Sequence, residues 1–222
     1  MPTAPGPTVR RRLSAGDRRA QLIDVALDVF SRRGFRGATT KEIAAGAGVA
    51  EAVIFRHFPS KEALYTAVLD SRLGSPERQQ RHAELQALMD RDDDEAVFGA
   101  LLRGICTRYA HDARFERVVL FAALEGHREA LDHLGESGGA HWRAIKSYIA
   151  RRQKAGALRA GEPGRLLLAV NGMAHFYGIV TRIFEMPIPG GSDDAAIDLF
   201  TRTALHGVAC SQPTPTRKKA NR

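Results

Sequence analysis

The 222-residue chain predicts an all-α fold on three observations. Apolar residues recur at helical spacing from about residue 17 to 209. No run alternates with a period of two between hairpin turns. Glycines, prolines and capping residues punctuate the periodic stretches where helices should start and stop. Residues 1–16 carry three prolines and the Arg10–Arg12 run, and this composition predicts a disordered basic arm. Leu22, Ile23, Ala26, Leu27 and Phe30 share one face of a first helix from about Asp17. Gly34 follows where a left-handed residue is needed. Thr39 and Glu42 form a capping box that opens a second helix, with Ile43 and Ala44 inward and Gly48 as its stop. A third short helix spans about Glu51–Phe58, with Val53, Ile54 and Phe58 inward, and Pro59 ends it. Ser60 caps a fourth helix towards Arg72, with Leu64, Ala67 and Val68 facing in.

Two short helices joined around a glycine and buttressed by a longer one make a helix-turn-helix, here residues 39–58. The small side chains of Ala44, Ala45 and Ala47, with Gly48, let the two helices cross closely. A generic helical corner shows the same small residues, so this pattern alone does not decide DNA binding. From Ser75 "GSPERQQ" loosens the chain, and "MDRDDDE" is an acidic helix start, favourable for the helix dipole. Longer helices are expected at roughly 93–111, 115–127, 136–157 and 163–186, and a last one at 193–209 follows the breaker-rich "PIPGGSDD". The organisation expected is a basic arm (1–16), a helix-turn-helix domain (17–76), a larger helical domain (77–212) and a disordered basic tail (213–222).

Charge sharpens this division. The net charge is +8, of which residues 1–61 carry +6, the last ten residues +4 and the middle −2. A basic end on a slightly acidic body points to a polyanionic partner at one end. The two cysteines, Cys106 and Cys210, lack CxxC spacing, so neither a disulfide framework nor a cysteine zinc site is expected. No apolar segment follows the Pro-rich start, and no secretory signal is expected. The uncharged stretch Leu166–Thr181 falls short of the ~20 residues of a membrane span. A cytoplasmic protein is expected.

"GFRGATTKEIAAGAGVAEAVIFRHFPSKEALYTAVL" resembles the signature of the TetR family of transcriptional regulators. The resemblance covers about 17–72 and rests on Gly34-Phe35, Thr39-Thr40, Ile43-Ala44, Ala47-Gly48-Val49 and His57-Phe58-x-x-Lys61. It implies a homodimer that binds a pseudo-palindromic operator and releases it when a small effector enters the carboxyl-terminal domain. It also implies DNA contacts for Thr39, Thr40 and Lys41, and for Ala50, Glu51, Ala52, Phe55, Arg56 and His57 on a recognition helix at 49–58. Two positions depart from the family. Ala50 stands where serine usually caps the recognition helix, and Phe55 where tyrosine gives a hydroxyl to the backbone. Each change removes a polar contact of order 1 kcal/mol.

Lys61 is informative by itself. A cation in the first turn of a helix opposes its dipole, and a phosphate clamp explains it better than a solvated lysine. Glu51 suits a helix start and can also accept from cytosine N4; the two roles are compatible. Arg56 suits guanine or phosphate, with its place low on the helix favouring phosphate. The Arg10–Arg12 run reads equally as a minor-groove arm and as a solvating tail.

The segment 163–186 is apolar nearly all round and must be covered on more than one side. With 193–209 it matches the family's dimer interface, and Gly172, Ala174 and Gly178 would permit close helix approach; a core helix within one subunit is the alternative. Phe98, Leu102, Tyr109, Phe121, Leu124, Trp142, Ile145 and Tyr148 are candidates to line a pocket for a small apolar effector, although such faces also form plain core. His127, His133 and His141 with Glu125 lack metal-ligand spacing, so no metal or cofactor is expected. Neither a nucleophile–base pair nor a glycine-rich phosphate loop marks an enzyme. The function expected is a ligand-released homodimeric repressor; the alternative is a DNA-binding or architectural protein without small-molecule control.

Overall fold

The computed structural model describes residues 13–188 and 192–208. It is all-α, as the sequence predicts, and the chain divides into two compact units, residues 1–72 with 114–131, and 73–113 with 132–222. The Arg10–Arg12 arm, the 213–222 tail and Cys210 lie outside the described residues.

The first unit begins with α1 (Ala15–Gly37), capped by Ser14, whose hydroxyl accepts from the Asp17 amide. Residues 15 and 16 are thus helical where the sequence suggested the end of an arm. Leu22, Ala26, Leu27 and Phe30 are buried, and Gly34 breaks the helix at φ 67° and ψ −178°. Only glycine adopts that conformation without strain. Next come α2 (Thr40–Gly46) with the complete Thr39/Glu42 capping box, α3 (Glu51–His57) and α4 (Lys61–Leu73). Ser60 accepts from the Ala63 amide and caps α4. Gly46 is the close-approach residue of α2: a β-carbon there would lie 2.9 Å from Val25. Ala45, expected at the helix crossing, is exposed.

The sequence assigned 115–127 to the carboxyl-terminal domain, but α7 (Arg114–Leu124) packs against α1 in the first unit. Arg114 pairs with Asp24 at 3.0 Å, and the Tyr65 hydroxyl reaches the Val118 carbonyl at 3.5 Å.

The second unit holds α5 (Pro76–Asp90), α6 (Asp94–His111), most of α8 (Arg128–Lys154), α9 (Pro163–Gly178) and α10 (Asp193–Val208). α5 was read as a loosening of the chain; Ser75 caps it and Pro76 occupies its first turn. α8 starts at 128 rather than 136 and runs through Gly135, Gly138 and Gly139. α9 continues as a π-helical turn, Ile179–Ile183. The resulting 21-residue helix is long and apolar enough to cross a membrane by length and composition, which corrects the shorter expectation. Val97, Phe98, Leu102, Ile149, Leu167 and Ala174 anchor the core of this unit.

Candidate nucleic-acid interface

α3 has only seven residues, too few to be stable by itself, so its orientation comes from what it buries. Ile54 is fully buried and Phe58, just past its end, nearly so. Arg19 stacks over the Phe58 ring at 4.9 Å, and the Gln21 amide donates to the Ala47 carbonyl at 3.3 Å. The opposite face presents Glu51, Ala52, Phe55 and Arg56, all exposed, with His57 partly so. Lys41, Thr39 and Ala50 are exposed as well, and Thr40 is partly buried. Every candidate of the helix-turn-helix therefore lies on its outward surface or at its edge, apart from Lys61.

Three details were not legible in the pattern. Ala50 caps α3 by position without any side-chain hydrogen bond. Glu51 supplies a substitute hold: its carboxylate accepts from the Thr40 hydroxyl at 2.5 Å, tying the start of α3 to the start of α2. Lys61, read from the sequence as a phosphate clamp, is engaged within the fold. Its ammonium donates to the Phe35 carbonyl at 2.9 Å and the Ala38 carbonyl at 3.1 Å, and lies 4.3 Å from the centre of the Phe35 ring. The cation at the start of α4 thus fixes the turn that leads into α2.

The same turn is held from the other side by Glu125, which follows α7. Its carboxylate accepts from the Phe35 amide at 3.0 Å and the Arg36 amide at 3.2 Å. Phe35 sits edge-on to Tyr65 and to His127, whose rings are stacked on one another. Burial, with Glu125 nearby, pushes the Tyr65 phenol up to about 12. Glu125 and His127, weighed from the sequence as metal candidates, are thus occupied in packing this turn. A charged cleft flanks it, lined by Asp24, Asp28, Arg32, Arg33, Glu42 and Arg114.

The expected effector residues separate. Phe98, Leu102, Tyr109, Ile145 and Tyr148 are buried together in the second unit. Phe121 and Leu124 belong to the first unit: Phe121 packs at Gly34, and Leu124 is 83% exposed. Trp142 is 40% exposed, at the edge. Tyr148 gives its hydroxyl to Asp94, which Arg152 also binds. Gly178 is the close-approach glycine, but its neighbour is in the same unit: a β-carbon would meet the Tyr109 ring at 2.4 Å.

Residues 22–68 match the family model described as "Bacterial regulatory proteins, tetR family". Over this segment the chain is similar to the TetR family. The HTH-type transcriptional activator FasR of Mycolicibacterium smegmatis is 34% identical over 114 residues, 49% of this chain and 48% of that protein. The HTH-type transcriptional regulator RutR of Escherichia coli is 42% identical over 62 residues, 28% of this chain and 29% of that one. The chain thus spans about half, or less, of the length of these relatives. A putative transcriptional regulator from Saccharomonospora viridis, solved with choline, shares the fold at a TM-score of 0.69 and 19% identity, covering 88% of this chain and all of that one.

Proposed function

We propose that the chain is a sequence-specific DNA-binding regulator of the TetR type, a homodimeric repressor released by a small ligand. The observation that carries the reading is the α3 surface. Glu51, Ala52, Phe55 and Arg56 stand outward on a helix whose other side is anchored by Ile54 and Phe58. Such a helix suits a major groove, with the amino-terminus of α2 at a phosphate. Arg56 and Lys41 are exposed cations for the backbone or a guanine. Thr39 holds its own capping box. Lys61 acts by fixing the turn into α2.

Dimerisation is supported by an apolar stripe on α9. Leu168 and Phe176 are 69% and 67% exposed. Gly172 between them meets nothing within 4 Å. Leu199 on α10 is exposed as well. A face of this kind on an ordered helix marks an interaction site, and two copies joined there would offer two recognition helices to successive half-sites. A DNA-binding role is consistent with the cytoplasm.

The test is selection of bound sites from random duplex DNA, followed by titration at several salt concentrations. A palindromic site and an affinity falling steeply with salt are expected; binding without sequence preference or salt dependence refutes the reading.

A further inference from the structure

The outward side of α3 is apolar at its centre. On a helix that turns about 100° per residue, the order round that side is Glu51, Phe55, Ala52 and Arg56, all of them exposed. Val53, Ile54 and His57 take the other side, with Ile54 fully buried. Phe55 and Ala52 thus stand in the middle, and the charged side chains stand at the margins. Glu51 is held towards α2, where the Thr40 hydroxyl donates to its carboxylate at 2.5 Å.

Phe55 is 50% exposed, the one large apolar side chain left so among the described residues of the helix-turn-helix. Phe30 and Phe35 pack on other rings, and Phe58 lies under the Arg19 guanidinium. The Phe55 ring enters no such contact among the described residues. A single exposed apolar residue is ordinary on a protein surface, but the setting of this one is not. The exposed cations of the helix-turn-helix include Lys41 and Arg56, and residues 1–61 carry a net charge of +6. That charge suits a polyanion rather than an apolar protein face.

A side chain with no donor offers nothing to phosphate oxygens, so the base edges are what Phe55 can read. In the major groove those edges carry hydrogen-bond donors and acceptors and one apolar group, the C5-methyl of thymine. We infer that Phe55, with Ala52 beside it, selects thymine in each operator half-site by covering its C5-methyl group. The inference rests on reading α3 as the recognition helix and deepens that reading, because it names the base chosen by the centre of the helix.

The test starts from the preferred site that the full-length protein selects from synthetic random duplex DNA. Each thymine of that site is replaced in turn by uracil, which keeps the pairing and the O4 acceptor and lacks only the methyl group. Dissociation constants are measured for the wild type and Phe55→Ala. In the wild type one thymine per half-site should respond, with uracil weakening binding about fourfold, the worth of one buried methyl group. Phe55→Ala should bind the thymine and uracil duplexes equally at that position. The ratio between the two duplexes is unaffected by any general weakening that the variant causes. A preferred site with no uracil-sensitive thymine overturns the inference, and so does discrimination that survives in Phe55→Ala; either result leaves the DNA-binding function standing. Failure to select any preferred site refutes that function itself, and the inference falls with it.

Discussion

Gly34→Ala is the sharpest probe of the turn that leads into the helix-turn-helix. At φ 67° and ψ −178° an alanine pays ~1–3 kcal/mol of backbone strain. Its β-carbon would also lie 2.2 Å from a Glu125 oxygen and 2.9 Å from the Phe121 ring. Glu125 must then leave the amides of Phe35 and Arg36, and each hydrogen bond to a charged group is worth ~1.5–3 kcal/mol. The total is about 4–9 kcal/mol, comparable with a typical domain's ~5–15 kcal/mol. Urea unfolding of the wild type, Gly34→Ala, Glu125→Ala and the double variant measures the coupling. The double variant should be milder than the sum by at least ~1 kcal/mol, because the carboxylate can be lost only once, yet worse than Glu125→Ala, because the strain remains. Additive effects, or a loss below ~1 kcal/mol for Gly34→Ala, would refute the reasoning.

Three further outcomes are expected. Arg56→Ala should weaken operator binding and reduce the salt slope by about 1 without moving the melting temperature, whereas Lys61→Met should lower stability and DNA affinity together; equal melting temperatures would remove Lys61 from the turn. Thr40→Val frees Glu51, so site selection should show it changing base preference at the same position as Glu51→Ala; a change confined to Glu51→Ala would make the Thr40 contact incidental. Asp94 is opposed by burial, but hydrogen bonds from Arg152 and Tyr148 outweigh it and hold its carboxyl below the usual range. Its folded value lies under its unfolded one, so its contribution is present above the ordinary carboxylate value, near 4, and is lost as pH falls through the folded value. Tyr148→Phe should flatten the acid limb of a stability–pH curve, and an unchanged limb would count against the pairing.

What was legible in the sequence was local. The Thr39/Glu42 box, the Ser60 cap and the conformation of Gly34 follow from short-range chemistry, and they stand as read. α5 was missed although Ser75-Pro76 is a start signal, because its buried stripe is thin, little more than Leu85 and Met89. The helix expected at 136–157 already ran through Gly138 and Gly139, but its first two turns and Gly135 were missed; Gly138 is buried where Trp142 and Arg78 lie close. Contacts between distant residues left no trace in the pattern. Lys61 was visible as an unfavourable charge at a helix start, but its true acceptors lie 23 and 26 residues away. The same holds for Glu125, which reaches its amides across 89 and 90 residues.

That distance has a consequence for how the DNA-facing surface is made. Everything presented outward on α3 depends on the turn at residues 34–38, which enters α2, and α2 in turn meets α3 through Thr40 and Glu51. The turn is closed from within by Lys61 and from outside the first four helices by Glu125 and His127. A fragment ending at residue 72 would keep the lysine and lose the carboxylate, leaving two amides and the Tyr65 ring uncovered. The recognition surface is therefore a property of residues 13–72 with 114–131 together.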